Sequence, residues 1–191
     1  MKIERMTEIE TSYIKVGDRI HVDHYTATCQ EITPKGALFL MDQYLDKPMA
    51  MNRNNSNQGG YEESDLRKTL RSREVLDIFD DWRDRMVPFE NGDLLRIPFA
   101  GELFGNKLPK WCEPDDHEQW PLMRDSRNRL ALCRGDYKWG WINNKRKSSS
   151  TNFCAVDSNG LAYQWGASSV FGVRPAFLIA AYREEAETYN S

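Results

Sequence analysis

The sequence predicts an α+β fold with small antiparallel sheets, two helices and extensive loops, and three stretches carry that expectation. Phe153, Ala155 and Val156 run into Asp157-Ser158-Asn159-Gly160, a turn signal because Asn and Gly tolerate positive φ. Leu161-Ala162-Tyr163-Gln164-Trp165 then reads as the returning strand of a hairpin. Ala37-Leu38-Phe39-Leu40-Met41 is apolar without alternation, the pattern of a buried strand. Ser64 is a good N-cap, followed by the acid Asp65 in a first helical turn and by Leu66 and Leu70 on one helical face.

Taken in order, segments 13–20 and 21–28 read as short strands with Gly17-Asp18 as the turn between them. Cys29 to Ile32 continues towards a second turn at Pro34-Lys35-Gly36, which leads into the apolar strand. Asn52 to Gly60 is a polar loop without a core-forming side chain. A helix is expected over 65–73, with Val75 to Phe79 packed beside it and a second helical piece over 80–85. Leu94-Leu95-Arg96-Ile97-Pro98-Phe99 reads as a strand, and Glu102-Leu103-Phe104 as the start of a short helix or turn. Residues 105–121, dotted with Pro and Trp, read as an irregular surface excursion. Trp139-Gly140-Trp141-Ile142 is a strand, and the hairpin follows. Gly172 suits a close backbone approach, and Pro175 opens a final strand at a point that needs no N–H. Arg174, with its fixed fork of donors, reads as buried and paired with a carboxylate or with backbone carbonyls that pin this strand. The division expected is an extension over 1–12, one domain over 13–181 and an acidic tail over 182–191.

The composition narrows the function classes. With 191 residues the chain can bury a sizeable core, and a net charge of −3 gives no electrostatic reason to bind nucleic acid. No apolar run approaches a membrane span, and Met1-Lys2-Ile3-Glu4-Arg5 lacks the apolar core of a signal peptide. The expectation is a protein made in the cytoplasm that stays there unless it leaves inside a virion or by a route without a cleaved signal. Cys29, Cys112, Cys133 and Cys154 show no CxxC spacing, so they read as buried reduced thiols, with Cys133 and Cys154 flanking the aromatic strand and able to come close. His21 and His24, on opposite faces of a strand, suit no shared metal. Asp115-Asp116-His117-Glu118 is an acidic loop that could hold a hard cation but lacks the DxDxDG order, so a solvated loop is the plainer reading. No phosphate loop, GxSxG elbow or HExxH motif is present, and no cofactor or catalytic residue is expected.

Aromatic residues crowd one interval: Tyr137, Trp139, Trp141, Phe153, Tyr163, Trp165 and Phe171. Trp139 and Trp141 share a strand face, with Tyr137 beside them. Trp141 and Phe153 read as core. Tyr163, Trp165 and Phe171 sit among Gln164, Gly166, Ser168 and Ser169, and both a core role and a recognition role suit them. Rigid aromatic area beside adaptable polar groups is the chemistry of a binding surface. Lys145-Arg146-Lys147 next to it is a solvated turn or a patch favouring an anionic ligand.

The ordered set Trp139-Gly140-Trp141-Ile142, Asn152-Phe153, Val156-Asp157-Ser158-Asn159-Gly160 and Gly172-Val173-Arg174-Pro175-Ala176-Phe177 resembles a domain of unknown function. That domain is widespread in Gram-positive gut bacteria and their phages. The likeness extends back through Gly17-Asp18-Arg19-Ile20, Phe39 to Asp42, Met51-Asn52 and Tyr61 to Arg67, and so covers most of residues 14–180. The resemblance implies a C-type-lectin-like fold, akin to formylglycine-generating enzymes and to the variable proteins of diversity-generating retroelements. Where the family has "WWLR", this chain has Trp139-Gly140-Trp141-Ile142-Asn143, and no cysteine spacing maps onto the copper-binding pair of the formylglycine-generating enzymes.

The variable proteins diversify positions along this segment. Carried over residue by residue, that implies Asn143, Asn144, Ser150, Asn152, Asp157, Asn159, Tyr163, Trp165 and Ser168 as surface positions, joined by Tyr137, Trp139 and Phe171 from the aromatic set. The function implied is noncatalytic ligand binding by a phage- or prophage-encoded receptor-binding or virion-associated display module. Its expected partner is a cell-surface glycan or protein, with other virion subunits or further copies of the chain as additional partners. The alternatives are a structural virion subunit that docks through the same surface and an enzyme related to formylglycine-generating oxidases.

Overall fold

A computed structural model of the protein describes residues 14–180. The expected extension over 1–12 and tail over 182–191 lie outside the described residues. In chain order the strands are β1 (Arg19–Val22), β2 (Tyr25–Thr33), β3 (Gly36–Met41), β4 (Met49–Ala50), β5 (Met86–Val87) and β6 (Leu132–Cys133). They continue as β7 (Asp136–Tyr137), β8 (Gly140–Lys145), β9 (Asn152–Val156), β10 (Ala162–Gly166), β11 (Val170–Phe171) and β12 (Ala176–Ile179). Three short α-helices, α1 (Asp65–Leu70), α2 (Arg73–Leu76) and α3 (Ala100–Phe104), lie between β4 and β6. The architecture is mixed, with a curled antiparallel half-barrel sheet, few helices and several small sheets.

The main sheet has the order β1-β2-β3-β12-β5 and is antiparallel throughout. Its centre explains the unbroken apolar run of β3. Ala37, Phe39 and Met41 enter one core with Phe177 and Ile179 of β12, whereas Leu38 and Leu40 enter a second core with Ala176 and Leu178. A strand covered on both faces needs apolar side chains at every position. The second sheet, β10-β9-β8, divides the two cores in the same way. Trp141, Phe153 and Ala155 face the first core, and Ile142, Cys154 and Val156 face the second. Phe177, fully buried and packed on Phe39 and Phe79, sits at the centre of the first core.

Several expectations hold at the level of side chains. The Ser64 hydroxyl caps α1 by accepting from the Arg67 N–H at 3.0 Å, and Leu66 and Leu70 are buried. Arg174 is buried and donates to the backbone carbonyls of Met41 (2.6 Å) and Asn128 (3.0 Å), which fastens the entry to β12. Gly172 forms a close backbone clasp: its N–H donates to the Trp139 carbonyl at 2.8 Å, and its own carbonyl accepts from the Trp141 N–H at 3.1 Å. The ring of Tyr44 lies against both Gly140 and Gly172, where any Cβ would collide with it.

Other expectations are corrected. The first hairpin turns at Asp23-His24, not at Gly17-Asp18, because Asp23 takes the left-handed conformation (φ 51°) that Asp tolerates. His24 therefore lies in a turn, hydrogen-bonded to Asp23 (2.8 Å) and Asp46 (3.2 Å), which raise its pKa. The helix expected over 65–73 stops at Leu70 and restarts after Ser72, and a 3₁₀ stretch, Asp77–Arg85, replaces the separate piece at 80–85. Leu94 to Phe99 is not a strand. Only Arg96 bridges to Ala176, and β5 takes the ladder position beside β12 instead. Segment 105–121 is irregular but not wholly superficial, since Cys112 and Trp120 are buried in the second core.

Candidate functional site

The sheet β10-β9-β8 ends at β10, whose outer edge has no partner strand among the described residues. Period-two alternation places Tyr163 and Trp165 on one face of β10, opposite Ala155 and Phe153 of β9. Phe153 and Ala155 share that face and lie in the core, whereas Tyr163 and Trp165, on the outer strand of the sheet, remain 44% and 47% exposed. Between these extremes runs a continuous aromatic path. Phe153 meets Trp141 edge-on, Trp141 meets Phe171 at 4.7 Å, and Phe171 meets Trp139 at 5.4 Å. Trp139 then stands edge-to-face against Tyr163 (4.9 Å, 68°) and Trp165 (5.7 Å, 86°). Such edge-to-face pairs are each worth about 0.5–1.5 kcal/mol beyond burial, so the exposed rings are held in place from behind.

These rings border a cleft of about 480 Å³ whose lining includes Pro48, Tyr137, Trp139, Trp165, Val170 and Phe171. Among the described residues Lys138 is the only charged one in its lining. Among the described residues seven large apolar side chains are exposed: Val16, Ile32, Tyr137, Leu161, Tyr163, Trp165 and Val170. Five of those seven fall within 137–170, so the surface apolar area is concentrated here instead of scattered.

The expected site residues divide into three groups. Tyr137, Trp139, Trp165 and Phe171 line the cleft, and Tyr163 packs on Trp139 beside it. Asn152, Asp157, Asn159 and Ser168 stand around the same hairpin in local roles. The Asp157 carboxylate accepts from the Asn159 and Leu161 N–H groups at 2.8 and 2.9 Å, Asn152 bonds to Gln164, and the Ser168 N–H donates to Asn55. Asn159 is exposed at the tip. Asn143 and Asn144 lie elsewhere. Asn144 is buried, with its amide oxygen accepting from the Ala100 N–H (2.7 Å) and its amide nitrogen donating to Asp115 (2.8 Å). Asn143 lines a different cleft. Pro48 and Val170 complete the aromatic cleft, and sequence reading missed both. Val170 had a signal in its neighbour Phe171, but nothing in the sequence connects Pro48 to a segment so far along the chain.

The second cleft, about 600 Å³, holds a buried ion pair. Arg96 donates to both Glu102 carboxylate oxygens at 2.5 and 2.8 Å, and its guanidinium lies 4.7 Å from the Phe89 ring centre and 5.0 Å from that of Phe99. Glu102 also accepts from the Phe99 N–H, and His117 stacks on the Phe99 ring at 3.9 Å. Next to it, Asp115 accepts from His117, from the Gly101 N–H and from Asn144. Burial alone would raise its pKa, but these hydrogen bonds outweigh burial and hold the carboxyl at about 2. The acidic loop is thus tied to α3 through Asp115. Among the described residues no group of three or more His, Cys, Asp or Glu side chains is gathered as a metal site. No helix among them is long and apolar enough to cross a membrane. No family model, curated protein or solved structure matches the chain.

Proposed function

We propose that the protein is a noncatalytic ligand-binding module of C-type-lectin-like type. It acts as a phage- or prophage-encoded receptor-binding or virion-associated display protein and engages a cell-surface glycan or protein through the aromatic cleft. The observation that carries this reading is the pair of half-exposed rings, Tyr163 and Trp165, braced by Trp139 beside a cleft with one charged lining residue among the described residues. Rings of this kind stack on the apolar faces of sugars or anchor a protein contact, while the hydroxyl and amide groups around the hairpin supply orientation.

The test is glycan-array and whole-cell binding by the purified protein beside a Tyr163→Ala/Trp165→Ala double variant shown to be folded by circular dichroism. Binding by the parent that is lost in the variant supports the reading. Equal binding by both places recognition elsewhere. A second reading, docking to a neighbouring virion subunit, has one observation in its favour: β10 offers an unpaired strand edge beside the apolar patch, which suits strand addition by another chain. Binding to neither glycans nor cells, with capture of a defined virion subunit, favours that second reading.

A further inference from the structure

We infer that Cys112 and Cys154 are a disulfide-forming site that locks segment 105–121 onto the sheet behind the aromatic cleft. Their sulfurs lie 2.8 Å apart, between a covalent S–S bond of about 2.05 Å and an ordinary nonbonded contact. Both residues are buried, at 4% and 1% exposure. The sequence allows Cys133 to come close to Cys154. Instead, the Cys133 sulfur points to the Leu45 carbonyl and that of Cys29 to the Glu31 carbonyl.

The backbone explains the meeting. Residues 111–113 run alongside the end of β8: Cys112 bridges to Arg146, the Glu113 N–H donates to the Lys145 carbonyl at 2.9 Å, and the Lys147 N–H donates to that of Trp111 at 2.8 Å. On the other side of β8, its pairing with β9 shifts register between Trp141 and Lys145. That irregular end leaves room for Cys112 and Cys154 to touch across it, with Cys154 also against the Lys145 carbonyl at 3.4 Å. Cys154 is the direct ladder partner of Gln164, which stands between Tyr163 and Trp165. A bond here would anchor the strand immediately behind the two exposed rings.

The chemistry needs a low-molecular-weight disulfide such as oxidised glutathione. The Cys112 thiolate attacks one glutathione sulfur, forming a mixed disulfide and releasing one glutathione thiolate. The Cys154 thiolate then attacks the Cys112 sulfur, the Cys112–Cys154 bond forms, and the second glutathione leaves. The two protein thiols lose two protons and two electrons, and the oxidant takes up both as two glutathione thiols. The neighbouring Cys112 thiol and burial both disfavour the Cys154 thiolate, so exchange is slow and proceeds through local opening of segment 105–121.

The experiment treats reduced protein with oxidised glutathione at mildly alkaline pH, traps free thiols under denaturing conditions, and reads intact mass and a nonreduced peptide map. The expected result is two alkylated cysteines instead of four, a mass loss of about 2 Da before alkylation, and a Cys112–Cys154 peptide. The thermal midpoint should rise by roughly 8–15 °C, reversed by reductant. A Cys112→Ser/Cys154→Ser variant should show the same midpoint with and without oxidant. Four alkylated thiols in the oxidised wild-type protein, a lasting mixed disulfide, or a bond to Cys29 or Cys133 would each overturn the proposal. The wild-type mass and peptide map decide the matter even if the variant fails to fold.

Discussion

The two clefts differ less in size than in what their side chains already do. In the larger one the two buried charges answer one another: Arg96 is bound by Glu102 and lies against Phe89 and Phe99, and His117 stacks on Phe99. In the smaller one the aromatic rings lean on each other from one side only and leave their other faces to solvent. Removing a group from the first cleft leaves a buried charge without a partner, whereas removing one from the second leaves little unsatisfied behind. The lesson is that a conspicuous charged cavity can be part of the scaffold, while an unassuming apolar edge keeps its contact area available.

That contrast can be broken at several points. Glu102→Ala should have the largest effect, destabilising the fold by about 3–5 kcal/mol in denaturant unfolding, because the Arg96 guanidinium stays buried and unpaired. Arg96→Met combined with Glu102→Leu should recover most of that loss; failure to do so would mean that the pair is needed for more than charge neutrality. Trp139→Ala comes next, at about 2–3 kcal/mol, since it removes the ring against which Tyr163, Trp165 and Phe171 rest. If Trp139→Ala leaves stability untouched, the rings are not braced as described.

Smaller still is the acid response of Asp115. Its folded pKa is depressed to about 2, so its contribution is complete above the unfolded value of about 3.9 and is lost as pH falls through about 2. With solvent screening the contribution is about 1–2 kcal/mol, and Asp115→Asn should flatten that part of the stability–pH curve measured by urea unfolding. Of similar size is Tyr163→Ala/Trp165→Ala, expected to cost about 1–2 kcal/mol, chiefly the two edge-to-face contacts with Trp139, because both rings are otherwise half-exposed. A loss of several kcal/mol there would turn the patch into ordinary core and remove the distinction between the two clefts.

The parts that were legible in the sequence are those fixed by local chemistry. The Asn159-Gly160 turn, the Ser64 cap and the two-sided apolar strand β3 each follow from neighbours within a few residues. The polar company of Tyr163 and Trp165 along the chain left core and surface roles equally open, and the structure leaves both rings about half exposed. What sequence reading missed depends on distant partners. Leu94 to Phe99 has strand composition, but Arg96 turns inward to Glu102 and the ladder is filled by Met86 and Val87 from an earlier segment. Asn144 looks like a loop residue, yet it is committed to Ala100, Glu113 and Asp115. Cys112 reaches Cys154 only because segment 111–113 lies along β8, which no spacing in the chain announces.

The clasp between Trp139 and Gly172 has a consequence for how this surface can change. The stretch from 139 to 172 begins and ends at one backbone junction, sealed by two hydrogen bonds and by Tyr44 seated against Gly140 and Gly172. Its inward residues, such as Phe153 and Val156, set how it sits, while Tyr163 and Trp165 rest on Trp139 and stay about half exposed. The stretch therefore behaves as a cassette: outward positions at 163, 165 and 168 can be rewritten together, as in a selection library, while the junction glycines are held constant.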